Sequence, residues 1–109
     1  MKKFLVLYKA PMEEFTKAMQ TMKPEDQEAS KKEWMDWMTK NKPTLADMGA
    51  PVGKTKIVTK AGATDGHNDI GGYSVVQADN ADDAAKIFAD SPHFTRMNGT
   101  IELSEIMAM

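Results

Sequence analysis

From Ile70 onward the chain spells out a strand, a capped helix, a break and a second strand. Ile70-Gly71-Gly72-Tyr73-Ser74-Val75-Val76-Gln77-Ala78 carries the β-branched and aromatic residues that favour a strand. Asn80 then precedes Ala81 to Ala89, with Asp83 at the third helical position, which marks a helix start. Ala81, Ala84, Ala85 and Phe88 make its expected buried face, small enough to lie close to a sheet. Ser91-Pro92 ends that helix. Thr100 to Met107 returns to a strand pattern, with a change of parity that predicts a bulge or twist near Ser104-Glu105. A strand–helix–strand unit winds right-handed, so this order restricts where everything before it can lie.

The N-terminal half supplies matching elements. Phe4-Leu5-Val6-Leu7-Tyr8 is a continuous apolar run, suited to a strand covered on both faces. Pro11 can open a short helix on which Met12, Phe15, Met19 and Met22 recur at helical spacing. A second helix is expected from Pro24, with Glu25 and Asp26 in its first turn, although Lys23 is a poor N-cap. Trp34, Trp37, Met38, Asn41 and Leu45 form one stripe on it. Pro43 should kink or restart that helix, and Gly49 and Pro51 should stop it. Lys54 to Lys60 alternates like an edge strand guarded by lysines. Gly62 to Gly66 reads as a turn.

Strand, helices, strand, strand, helix, strand is the ferredoxin-like βαββαβ plan: α+β, one domain over 1–109, a four-stranded antiparallel sheet and helices on one face. Phe4, Val6 and Tyr8 point one way along the first strand, and Leu5 and Leu7 the other. A sheet with two apolar faces and one helical layer needs a partner, so a homodimer through the open sheet face is expected.

Charge and composition exclude several functions. The chain has 14 Lys and Arg against 16 Asp and Glu, a net charge of -2 that draws in no phosphate backbone, so nucleic acid is not an expected partner. Cys is absent, which removes disulfides, thiolate nucleophiles and Cys-ligated zinc. No apolar run approaches membrane-spanning length, and the short run after Lys2-Lys3 lacks a signal-peptide core. A soluble cytoplasmic protein is expected. The 10 Met residues suit adaptable cores or pockets.

Taken together, Phe4-Leu5-Val6-Leu7-Tyr8, Trp34 and Trp37 ahead of Gly49-Ala50-Pro51-Val52-Gly53, Gly72-Tyr73-Ser74-Val75-Val76, the Asn80 helix, and Ser91-Pro92-His93 before Gly99-Thr100-Ile101-Glu102 resemble the YCII-related family of dimeric α/β-barrel proteins. The resemblance spans nearly the whole chain. It implies a ferredoxin-like protomer, a sheet-to-sheet dimer and a cleft between sheet and helices. A few relatives act on chlorinated hydroxyquinols, and smaller bacterial members carry a His–Asp pair thought to be catalytic. The family's His sits on the first long helix, but this chain has no His between Met1 and Gly66. The family's Asp precedes the Pro after the second main helix, and here that residue is Ser91. Neither half of the pair carries over.

His93, just after the matching Pro, is the candidate acid–base residue. It is expected to follow a helix C-terminus, whose partial negative charge favours a cation. Arg96 could stabilise an anionic ligand. The ordinary alternative is a loop His with its ring on the surface or capping a carbonyl. Trp34, Trp37 and Met38 could wall a ligand pocket, or could simply be core. Tyr8, Tyr73 and Ser74 place hydroxyls on strands, where one could orient a ligand or each could be a satisfied core or interface hydroxyl. Asp47 is the nearest carboxylate to the expected cleft, with a solvated side chain as its ordinary reading. Asp65-Gly66-His67-Asn68-Asp69 matches neither a zinc site nor a calcium loop and reads as a turn. No metal or cofactor is expected. The function expected is binding of a small, aromatic or apolar molecule in the sheet–helix cleft, with cofactor-free proton transfer if the protein is an enzyme. The alternatives are a non-catalytic ligand sensor or carrier, and a structural accessory dimer whose cleft is filled by its own side chains.

Overall fold

The computed structural model describes residues 1–96 and 99–107, with the side chains of Met12, Phe15, Ala18, Met19, Thr95 and Arg96 outside that description. Strand β1 (Lys2–Lys9) leads into helix α1 (Met12–Thr21) and the longer α2 (Pro24–Lys40). Strands β2 (Leu45–Pro51), β3 (Thr55–Thr59), β4 (Gly62–Gly66) and β5 (Ile70–Ala78) follow. Helices α3 (Ala81–Ile87) and α4 (Pro92–Arg96) and strand β6 (Thr100–Glu105) complete the described chain. The main sheet has four antiparallel strands in the order β2-β5-β1-β6, the ferredoxin-like order. No described helix is long and apolar enough to cross a membrane.

The alternation of β1 sorts its side chains as expected. Phe4, Val6 and Tyr8 are buried, while Leu5 and Leu7 on the other face are half-buried. Val6 pairs with Ser74 on one side and with Leu103 on the other, so those residues share the helical face. Trp37 from α2, Ala84 from α3, and Phe88 close a core over Phe4, Val6, Tyr8, Val76 and Ala78.

Several elements differ from expectation. The second strand of the main sheet is Leu45–Pro51, and not Lys54 to Lys60. Helix α2 stops at Lys40, and at its end the Asn41 backbone N–H and side-chain amide both donate to Trp37 O. Pro43 then sits in a single 3-10 turn, Lys42–Thr44, and supplies no N–H to continue a helix. Leu45 is thereby delivered to β5, opposite Val76. Lys54 to Lys60 instead contributes β3, and the expected turn at Gly62 to Gly66 is β4. The two form a separate two-stranded hairpin.

Smaller corrections follow in the C-terminal half. The Asn80 cap forms, its Oδ1 accepting the Asp83 N–H at 2.8 Å. Ala81 and Ala85 are exposed, however, because seven helical residues present one narrow line to the sheet, carried by Ala84 and continued by Phe88. Pro92 opens α4 as well as following α3. No bulge occurs near Ser104-Glu105: the β1–β6 register runs unbroken from Lys9–Thr100 to Phe4–Glu105, and the strand ends there.

Candidate functional site

Between the main sheet and α2 lies a cavity of about 560 Å³. Strand β1 brings Tyr8, β5 brings Gly72, α2 brings Trp34 and Met38, β2 brings Met48, and α4 brings His93. The wall is built from edge-to-face rings: Tyr8 lies 5.2 Å from Trp34 and 5.7 Å from His93 between centroids. Gly72 leaves the floor open beside the Tyr8 ring, where a side chain would occupy the space. The cleft is therefore not filled by its own side chains.

Hydrogen bonding fixes what the inner polar groups offer. Ser74 Oγ donates to Met48 O at 3.0 Å. A hydroxyl has one hydrogen, so the Tyr8 hydroxyl, 3.0 Å away, donates to Ser74 and keeps a lone pair for a further donor. Burial raises the Tyr8 pKa above its ordinary value, with the Ser74 bond opposing in part. Ser74 itself is fully buried behind Tyr8 and orients the phenol without lining the cavity.

His93 is 3% exposed, and its Nε2 lies 2.8 Å from Lys9 O and 3.1 Å from Thr100 O. Both carbonyls only accept, so Nε2 carries the hydrogen, and in the neutral ring Nδ1 is the basic nitrogen. Ser91 Oγ accepts the His93 backbone N–H at 3.3 Å, which gives this buried serine a structural task. His93 does not trail a helix C-terminus as expected. It stands in the first turn of α4 and is buried, so it is no surface residue, but its ring does bond backbone carbonyls, as the ordinary reading allowed.

The other sequence candidates separate. Trp37 belongs to the core: its ring packs 5.3 Å from Phe88, and Nε1 donates to Asp90 Oδ1 at 3.1 Å. Lys40 Nζ meets the other Asp90 oxygen at 2.8 Å, and these two donors hold the Asp90 carboxyl below its ordinary pKa. Tyr73 borders the cavity and also a shallower groove on the opposite sheet face. The Arg96 side chain lies outside the described residues. Asp47 is exposed and shapes β2, accepting the Gly49 N–H at 2.8 Å. Near His67, Asn68 Oδ1 accepts the Ile70 N–H at 3.0 Å, an Asx turn.

Ser30, Lys31, Met22 and Met35 also line the cavity, and sequence reasoning missed them. The signal was present for the first two. Ser30 and Lys31 extend the Trp34–Met38 stripe one turn toward the N-terminus of α2, at i−4 and i−3 from Trp34.

Sheet order, helical layer and cavity define an α+β, ferredoxin-like fold. Among solved structures, the chain is similar to 5-chloro-2-hydroxyhydroquinone dehydrochlorinase from Burkholderia phenoliruptrix AC1100, determined in complex with 2,5-dihydroxybenzoquinone. The TM-score is 0.53 at 12% identity, over 92% of this chain and 90% of that one. At this identity the likeness shows the fold alone, and it agrees coarsely with the α/β-barrel architecture that the family resemblance implies. No family model matches the chain, and no curated protein matches it in sequence.

Proposed function

We propose that this is a YCII-like cytoplasmic homodimer whose protomers each bind a small aromatic or apolar molecule in the sheet–helix cavity, with His93 as the base in cofactor-free proton transfer. The observation that carries the reading is the cavity of about 560 Å³, walled by Tyr8, Trp34 and Met38 and bordered by His93. Such a volume suits a ring-sized ligand. A protein of the same fold holding 2,5-dihydroxybenzoquinone supports the ligand class. The Nε2–H of His93 is tied to two backbone carbonyls, which leaves Nδ1 to take a proton from a phenol or enol. Arg96 is assigned charge stabilisation by its spacing from His93.

The test begins with hydroxyaromatic compounds screened by thermal shift. Binders are then followed by NMR for exchange of ring hydrogen with deuterated solvent. His93→Gln keeps a donor for the Lys9 and Thr100 carbonyls but has no base. It should retain the thermal shift and lower exchange by roughly a hundredfold or more. Unchanged exchange would remove the catalytic role of His93. The non-catalytic carrier is a second reading, favoured by the near-complete burial of the His93 ring. Thermal shift with no exchange and no product in the native protein would establish it.

A further inference from the structure

The cavity has a charge asymmetry that its apolar character obscures. Among the described residues, Lys31 is, apart from the His93 imidazole, the one lining residue that carries a charge at neutral pH, and no carboxylate among them lines the cavity. Lys31 makes no ion pair among the described residues, whereas Lys2, Lys9, Lys40, Lys56 and Lys86 each meet a carboxylate. Its place at i−3 from Trp34 and i−7 from Met38 puts its stem on the same face of α2 as the aromatic wall. The exposed ammonium can remain near water at the rim.

The inner polar groups point to the same polarity. The Tyr8 hydrogen is spent on Ser74, and the His93 Nε2 hydrogen on the Lys9 and Thr100 carbonyls. Inside, these two groups offer lone pairs and no free hydrogen, so an anion placed against them would draw no donor from either. At the rim Lys31 offers three, with the Ser30 hydroxyl beside it. Met22, Met35, Met38 and Met48 make a compliant wall that specifies shape only loosely. Charge must then do much of the selecting.

We infer that the cavity selects a small amphipathic monoanion, an aromatic body directed inward and one carboxylate or phenolate held at the mouth by Lys31. This rests on the ligand-cavity reading above and adds the sign and orientation of the ligand. A cation would meet Lys31 and find no carboxylate among the described lining residues. A neutral ring would fit the wall and forgo the charge-assisted contact.

The test compares 2-naphthoate with its neutral analogue 2-naphthamide by isothermal titration at low ionic strength, using the full chain. Contacts from probe ring protons to Trp34 and the Met38 methyl, read by NMR, locate each probe. The carboxylate should bind roughly tenfold tighter than the amide, with the margin shrinking as salt is added. Lys31→Met should bring the ratio to about one, since the charge is lost while the apolar stem is retained. Lys32→Met, one residue along and outside the lining, should keep the native ratio. Equal affinities in the native protein, or a ratio that survives Lys31→Met, overturn the inference and leave the cavity reading standing. Failure of both probes to reach Trp34 overturns the cavity reading and the inference with it.

Discussion

The seat of His93 depends on a residue with no side chain. A Cβ added at Gly99 would fall 2.4 Å from Lys9 O and 2.5 Å from His93 Nε2, closer than any real contact. Both are halves of the same hydrogen bond, so Gly99 lets β1 and α4 approach closely enough to hold the ring. Gly99→Ala should cost about 1–3 kcal/mol in urea unfolding. It should also weaken binding of any ligand that reaches His93, whereas Gly53→Ala, with open space around it, should do neither. His93 and Tyr8 could be named from sequence as chemistry-bearing residues. Their roles could not, because tautomer and donor direction depend on Lys9, Thr100, Ser74 and Met48, which are distant in the chain. Ser91 shows the same limit: its departure from the family's Asp was visible, but its hydrogen bond from His93 N–H was not.

At the level of elements, legibility followed local signals. The Asn80 cap, the Pro24 helix start and the β1 alternation are written in adjacent residues, and all three formed. Strand β2 is written nowhere locally. It contains Gly49 and Pro51, residues poor in strands, and its register with β5 shifts between Leu45 and Asp47 and again before Ala50. Lys54 to Lys60 has the better pattern, but a pattern of alternation cannot say which strand it will meet. What makes β2 is its approach to β5. Gly49 has φ of +71°, and a Cβ there would lie 1.7 Å from Tyr73 O. Gly49→Ala therefore combines left-handed strain with a backbone collision and should cost about 3 kcal/mol or more. Because Gly49, Ala50 and Pro51 border the cavity, the variant should also lose ligand-dependent thermal shift under conditions where it remains folded. A variant as stable as the native chain would show that β2 needs no such approach.

The whole molecule is flatter and wider than a chain of this length requires. It measures 44 × 36 × 19 Å with a radius of gyration of 15.2 Å, against about 13 Å for a compact domain of this size. The β3–β4 hairpin is largely exposed, with Ile57 and Val58 in the open. The sheet face away from the helices is divided. Toward β6 it carries the Lys9–Glu102 pair, at 3.1 Å. Toward β5 it carries Leu5, Leu7, Tyr73 and Val75, with the shallow groove at the foot of the hairpin. An apolar half-face beside a projecting hairpin suits a two-fold partner that lays its own sheet and hairpin across it. Sizing in solution should give the mass of two chains at micromolar concentration, and unfolding temperature should rise with protein concentration. Leu7→Asp, which places a charge on that face and leaves the helical core untouched, should shift the protein to one chain. A native monomer at that concentration would remove the dimer. Tyr73 borders both the open-face groove and the ligand cavity, so the same variant also asks whether assembly shapes the site. If the partner braces Tyr73, monomeric Leu7→Asp should bind cavity ligands more weakly than the native protein. Unchanged affinity would make each cavity a property of its own protomer.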